Sequence, residues 1–436
     1  MSDPASVCSP STVISVESFV TEPNPQVSVL IPCWNAARSI GRALDSVLGA
    51  TDPTVECIVV DDASTDGTAD LVESLADRDP RIVLVRAEVN AGASAARNLG
   101  LPLVRGDWLT FLDSDDRMLP GALAALHRTA VATDALAVVG QRIWSDGVDT
   151  WITRMYDRPD IREPGRKSLA ANPGLMFYAS ATGKLFHRSI REGLRFEGRV
   201  LGDQPWTLRA LLRAGDRVEV IGDVVYEWSR PRPGNEFTSI TEQKRQSAAR
   251  AADAVEVAIG ALRDVCAEAD LQLPDDASRR RIHAAYLDRL VRADFAGPVS
   301  RALDTRDPGM LRLFEALTAF ITAAPDDLVA RSDAVLERVI RPPLAHWDRV
   351  PRNARPAYWS MVRALPAATV APGRILRSPL ERAALGIGRR YPGRAGTMLA
   401  NGVAASAPVA RRMLALMPGR HRSATGPAAP AQPERR

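Results

Sequence analysis

From Val27 onward the chain alternates short, continuously apolar runs with stretches of helical periodicity. The runs are VSVLI (27–31), CIVV (57–60), IVLV (82–85) and WLTFL (108–112), each of strand length. Between them, Ile40, Leu44, Val47 and Leu48, then Ala69, Val72 and Ala76, then Ala95 and Leu99 fall on single helical faces. Strands apolar throughout and joined by crossover helices predict a mainly parallel α/β sheet with helices on both faces. Past Leu119 the pattern predicts a helix to about Thr133 and a strand over ALAVVG (135–140). Further on it predicts a helix over about Pro205 to Arg213 and a strand over RVEVIGDVVYEW (217–228). Periodicity is weak from Trp144 to Arg166. From Thr241 to about Ile340 nearly every segment fits a helix, which predicts a second, all-α domain.

A chain of 436 residues exceeds what one hydrophobic core usually supports. The expected organisation is a polar, Pro-punctuated disordered leader (1–25), an α/β domain (26–241), an all-helical domain (242–345) and a Pro/Arg-rich region (346–436), disordered from about residue 423. With 46% hydrophobic and 25% charged residues, wholesale disorder is excluded. No run approaches the roughly 18 apolar residues of a membrane span, and the start lacks a basic segment followed by an apolar one. Cys8, Cys33, Cys57 and Cys266 show no CxxC spacing, so neither a zinc cage nor a disulfide framework is expected, and a reducing cytoplasm fits best.

Charge narrows the partners. Residues 371–436 carry 12 Arg against 2 Glu, a net of +10, which leaves residues 1–370 at −6 of the overall +4. An acidic folded part argues against nucleic acid as the partner. The Arg-rich segment, with Arg374, Arg377, Arg382, Arg389, Arg390 and Arg394 among Leu, Ile and Tyr, has two readings: a solvated basic tail, or peripheral contact with the anionic inner face of the plasma membrane.

In such sheets ligands sit outside the carboxyl ends of the strands. The first strand ends in PCWN (32–35), the second in Asp61 and Asp62, the fourth in DSDD (113–116). Asp113 and Asp115, at i and i+2, project to one side of an extended segment and suit a hard cation such as Mg²⁺ or Mn²⁺ bridging to phosphates. The alternative is an acidic turn that caps the next helix. Of Asp61 and Asp62, one is expected to cap the helix after STDGT, with Ser64 or Thr65 as further cap candidates, and the other to be free for a planar ligand group. The small residues of NAGAS (90–94) allow a ligand close to a helix N-terminus. Asp203, followed by Gln204 and Pro205, is placed equally well as a helix N-cap or as a catalytic carboxylate.

VSVLIPCWNAARSIGRALDSVL, VVDDASTDGT, NAGASAARNLG and WLTFLDSDDRMLPGAL, in that order, resemble the family 2 glycosyltransferases of the GT-A fold over about residues 26–241. GKLFHRSI, RFEGRVLGDQPWTLRAL, YEW and SIT (239–241) are similar to the branch that glycosylates wall teichoic acids and surface polysaccharides. The resemblance implies that Pro32, Asp62, Asn90, Arg97 and Asp113 bind the nucleotide of a UDP-sugar. It further implies that Asp113 and Asp115 hold Mn²⁺ or Mg²⁺, that Asp203 is the catalytic base, and that Arg230, Arg232 and Ser239 close over the diphosphate. The family's base normally follows a Glu, and here Gly202 stands before it.

The implied reaction is an inverting transfer to a hydroxyl of a glycan or polyol-phosphate acceptor, with the helical domain available for homo-oligomerisation or acceptor docking. The alternative is a catalytically degenerate nucleotide-sugar-binding protein, to which Gly202 points. A nucleotidyltransferase is disfavoured because PCWN is not a Gly-rich phosphate loop.

Overall fold

The computed structural model describes residues 24–49, 52–152, 156–198, 201–229, 247–366, 400–401 and 404–405. Strands β1 (Val27–Cys33), β2 (Val55–Asp61), β3 (Ile82–Arg86) and β4 (Trp108–Phe111) pair in parallel in the order β3-β2-β1-β4. Every residue of β1 and β2 is buried, which is why their sequences show no alternation. Helices α1 (Ile40–Leu48), α2 (Thr68–Ala76) and α3 (Ala93–Gly100) are the crossovers. In α1 the stripe Ile40, Ala43, Leu44 and Val47 is buried, the i, i+3, i+4, i+7 pattern of one face.

The second half of the sheet is mixed. Here lie β5 (Arg117–Met118), α4 (Ala122–Thr133), β6 (Ala137–Ser145), β7 (Thr150–Trp151), α5 (Pro159–Arg162), β8 (Gly165–Lys167), β9 (Lys184–His187), α6 (Arg188–Arg191), α7 (Asp203–Ala214) and β10 (Val218–Ser229). β9 sits antiparallel between β4 and β6, β10 runs parallel to β6, and β5, β8 and β7 add antiparallel edges. Parallel pairing thus holds for the first four strands. β9, a short strand reached without a crossover helix, is under no constraint to follow them. The weakly periodic stretch 144–166 holds β7 and α5 and reaches β8, elements of two to four residues that are too short to display a period.

The helical part follows. α8 (Ala248–Gln272) starts at Ser247, whose side chain accepts from the Arg250 amide, and α9 (Asp276–Arg289) at Asp275, which accepts from the Ser278 amide at 2.8 Å. Then come α10 (Ala296–Thr305), α11 (Met310–Ala323), α12 (Asp326–Arg331), α13 (Arg341–Ala345) and α14 (Arg355–Ala364). The expected boundary at 345 falls short, because Trp347, Tyr358 and Trp359 are fully buried and α14 packs on α11. Prolines obscured this in the sequence; they occupy the first turns of α13 and α14, where a missing N–H is harmless. The expected disordered leader (to residue 23) and tail lie outside the described residues.

α7 joins the two parts. Trp206 on its sheet side is fully buried, with Phe111, Phe186 and Phe196 each at 5.0 Å between ring centroids. Truncating such a side chain costs roughly 3–5 kcal/mol. On the side facing α8, Arg209 Nε and Arg213 Nε donate to Glu268 at 3.0 and 2.8 Å. One continuous apolar cluster runs from the sheet through α7 into the helical bundle.

Candidate active site

The loops after β1 and β2 interlock at the sheet's carboxyl edge. The Asn35 amide donates to Ser64 Oγ (2.9 Å), the Thr65 amide to Asn35 Oδ1 (2.8 Å) and the Ala36 amide to Thr68 Oγ1 (2.7 Å). Asn35 and Ala63 both have positive φ, 50° and 57°. For Ala63 that conformation costs on the order of 1 kcal/mol, a strain held beside Asp62. Pro32 lies buried in β1, in register with Val60. The next side chains outward are the Cys33 thiol, which donates to Asp61 at 3.8 Å, and Trp34, which is 54% exposed and offers an unshielded indole face.

Neither Asp61 nor Asp62 behaves as expected for a cap. Asp61 accepts from the Ser64 amide (3.1 Å), and α2 has Gly67 at its N-cap without a side-chain cap bond, with Asp66 just before it accepting from the Thr68 amide (3.1 Å). Ser64 and Thr65 serve the β1 loop rather than the helix. Asp62 is buried and not free: its two oxygens accept from the Ala91 and Gly92 amides at 2.9 and 2.7 Å. A spare lone pair remains on each oxygen. Asn90 Nδ2 donates to the Asp62 carbonyl at 3.2 Å. Gly92, with φ 92°, turns the chain so that two consecutive amides face the carboxylate.

One turn into α3, Arg97 extends Nη2 to Asp113 Oδ1 at 2.7 Å. Its Nε is buried and makes no hydrogen bond among the described residues. The DSDD turn is anchored from the far side of the sheet. Tyr226 of β10 accepts from the Asp113 amide (3.2 Å) and donates its hydroxyl proton to Asp116 Oδ2 (2.7 Å), while the Ser229 amide donates to Asp116 Oδ1 (2.7 Å). Asp116 and Tyr226 were not singled out by sequence; the third acid of DSDD was the one available signal. Burial, then Asp115 and Asp113, raise the Asp116 carboxyl well above the usual range.

Asp115 reaches solvent, yet protein walls surround it. That desolvation, with Asp113 nearby, pushes its carboxyl up to about 6. Arg42 Nη2 ties its carbonyl (2.7 Å) to Ser229 Oγ (3.0 Å). Among the described residues no group of three or more metal-ligating side chains is assembled. Asp113 and Asp115 are two adjacent, mutually repelling hard-oxygen donors, which fits a divalent cation.

Asp203 is the first residue of α7, with Gly202 rather than Asp203 at the N-cap and no side-chain cap bond. Its carboxylate makes no hydrogen bond among the described residues. Gly202 seats α7 against α3: an added Cβ would overlap Ser94 Oγ and lie 2.7 Å from the Glu197 carbonyl. Contacts thus lead from Asp62 through the α3 N-terminus to Arg97 and Asp113, and Gly202, the residue before Asp203, packs against Ser94 of α3. Arg230, Arg232 and Ser239 lie outside the described residues.

A half-parallel sheet, acidic turns at its strand ends and helices on both faces together define the GT-A fold class. Residues 28–194 match the family model "Glycosyl transferase family 2". The chain is 29% identical over 222 residues to Glycosyltransferase GlyA of Streptococcus pneumoniae, covering 48% of this chain and 31% of that protein. It is 33% identical over 196 residues to the succinoglycan biosynthesis protein ExoO of Rhizobium meliloti, covering 44% of this chain and 53% of that one. The chain therefore spans about half or less of the length of these relatives. Among solved structures, S. aureus TarS 1–349 superposes with a TM-score of 0.58 at 20% identity, over 77% of this chain and 90% of that one, and the fold is shared. TarS 1–349 is also known in complex with UDP-GlcNAc. No helix among the described residues is long and apolar enough to cross a membrane.

Proposed function

We propose that the chain is an inverting glycosyltransferase that moves a sugar from a UDP-sugar to a hydroxyl of a cell-surface polysaccharide, a teichoic-acid-like polymer or a lipid-linked glycan. The observation that carries this is the continuous set of contacts from Asp62 to Arg97 and Asp113, onto whose helix α3 the start of α7 is packed through Gly202 and Ser94. The UDP-GlcNAc complex of the structurally similar TarS supports the choice of nucleotide. In the same reading the enzyme works in the cytoplasm.

Trp34 offers its exposed ring to the base, and Asp62, held by two backbone amides, meets the polar edge of that base. Asp113 is oriented by Arg97. Asp113 and Asp115 would hold Mn²⁺ or Mg²⁺, which when bound offsets charge on the diphosphate. Asp203, at the first position of α7 and without a hydrogen-bond partner among the described residues, accepts the acceptor hydroxyl proton. The new C–O bond forms as the bond to the nucleoside diphosphate breaks on the opposite face, which inverts the anomeric centre.

The test is UDP binding and UDP-GlcNAc hydrolysis with Mn²⁺ present. Asp203→Asn is expected to retain UDP affinity and lose turnover by 10²-fold or more, on the order of a missing general base. Wild-type protein that neither binds UDP nor hydrolyses UDP-GlcNAc overturns the reading. UDP binding without turnover in the wild type selects the degenerate alternative.

A further inference from the structure

The DSDD turn is pinned at both ends and in its middle, and each pin comes from another element. Tyr226, buried on β10, touches both ends: its hydroxyl accepts from the Asp113 amide at 3.2 Å and donates to Asp116 Oδ2 at 2.7 Å. The other Asp116 oxygen accepts at 2.7 Å from the amide of Ser229, the last residue of β10. From α1, Arg42 Nη2 donates to the Asp115 carbonyl at 2.7 Å and to Ser229 Oγ at 3.0 Å. The Asp116 amide closes the turn on itself by donating to the Asp113 carbonyl at 3.0 Å.

The end of β10 that holds the turn is itself braced on both edges. β5, which follows the turn directly, pairs with Tyr226 and Glu227, and Arg117 donates to Glu227 at 2.7 Å. On the β6 edge, Trp228 and Trp144 cover one another at 3.5 Å between ring centroids, and the buried Arg142 guanidinium lies 5.0 Å from the Trp228 ring. The support is therefore a paired strand and not a loop that could follow a ligand.

Asp116 differs from the other two acids of the motif. It is 1% exposed and both of its oxygens are engaged by β10, whereas Asp113 and Asp115 are partly exposed. Its place is among the supports of the cation site, with Asp113 and Asp115 left as the donors.

We propose that Asp116, Tyr226 and Arg42 are positioning residues for the cation site: they fix the backbone from which Asp113 and Asp115 project, so that the pair takes a small octahedral ion, Mn²⁺ or Mg²⁺, in preference to Ca²⁺. The proposal deepens, and rests on, the reading of the chain as a metal-dependent glycosyltransferase. Small octahedral ions demand near-ideal ligand placement, while Ca²⁺ accepts about six to eight oxygens in flexible geometry. Donors already ordered by the fold lose little freedom when the ion binds. A loosened turn therefore penalises the small ion more than the adaptable one. Groups one step behind a metal's ligands commonly govern about 10- to 100-fold in affinity.

The experiment titrates the full chain with Mn²⁺ in the presence of UDP, reading bound ion from the loss of the aqueous Mn²⁺ EPR signal, with Mn²⁺ and UDP alone as reference. Ca²⁺ affinity is taken from its displacement of Mn²⁺. Tyr226→Phe keeps the ring and the charge and removes only the hydroxyl; it should weaken Mn²⁺ about tenfold and Ca²⁺ by less than about threefold. Arg42→Met separates position from charge. Deleting a cation beside a cation site tightens Mn²⁺ by electrostatics alone, whereas loss of positioning weakens it, here by about threefold or more. Should Tyr226→Phe fail to fold by circular dichroism, Arg42→Met, on the exposed side of the turn, decides. Mn²⁺ affinity unchanged or tightened in either folded variant, or an equal loss of Mn²⁺ and Ca²⁺, overturns the proposal. A wild type that binds UDP and no cation also overturns it and leaves sugar-nucleotide binding standing. Mn²⁺ affinity that falls as expected in the variants, in a chain that neither binds UDP nor hydrolyses UDP-GlcNAc, keeps the positioning and removes the glycosyltransferase reading.

Discussion

Arg97 crosses from α3 to place Nη2 2.7 Å from Asp113 Oδ1, with the arginine side chain 8% exposed and the aspartate 39%. The cation is thus enclosed while its partner faces the cleft. Arg97→Met leaves Asp113 without that orienting contact. With the aspartate open to solvent, the stability loss is discounted to about 1–2 kcal/mol. The loss in UDP-GlcNAc hydrolysis is expected to be larger, tenfold or more. Arg97→Lys should restore stability better than turnover, because an ammonium keeps the charge and loses the planar fork. Urea denaturation alongside the hydrolysis assay checks both.

Gly202 permits the contact between α7 and α3. Gly202→Ala drives a methyl into Ser94 Oγ and towards the Glu197 carbonyl. An overpacking penalty of about 1–3 kcal/mol is expected, with turnover reduced more than UDP affinity because Asp203 is displaced. Adding Ser94→Ala should recover part of the loss, since the backbone carbonyl stays in place. Equal effects in the single and double variants would show that Ser94 is not the obstacle.

Glu268 is 3% exposed and receives Arg209 and Arg213 of α7. Glu268→Ala strands two partly buried guanidinium groups, and a destabilisation of about 2–4 kcal/mol is expected in chemical denaturation. Glu268→Gln, which keeps the acceptor oxygen and the shape, should fall between.

His127 and His187 flank Trp108 at 6.5 and 5.0 Å between ring centroids, and burial is the leading cause that lowers both from the ordinary 6.5. The folded state therefore binds fewer protons than the unfolded state just below 6.5. Their contribution to stability is complete above that pH and is lost as pH falls towards the folded values. Unfolding free energy measured at about pH 7.5 and about pH 5.5 should drop between the two, and His127→Gln should shrink the drop. An unchanged slope in that variant would assign the acid sensitivity to other groups.

The sequence announces what is decided locally. β1 and β2 are legible because both faces are covered and every position is apolar. The placing of Asp62 and Asp113 just past strand ends is legible because each closely follows an apolar run. Contacts that depend on distant pairing are hidden. Asp116 and Tyr226 are 110 residues apart and meet only because β5 pairs with β10. Trp144, Trp151 and Trp228 come into line only once β10, β6 and β7 are in register. One of Asp61 and Asp62 was expected to have a free carboxylate, since nothing near Asp62 in sequence shows that Gly92 will turn two amides towards it. α14 was missed because Pro342, Pro343, Pro351 and Pro356 interrupt the periodicity from which helices are read.

The apolar interior passes without a break from the sheet through Trp206 into the bundle. A jaw-like opening between the two halves would wet that seam, so α7 is expected to stay still during the proposed reaction. The bundle, far from being an appendage, is then the strut against which Asp203, the proposed base, is braced, and a loosening substitution in α8 or α11 should be felt as slower turnover at a distance.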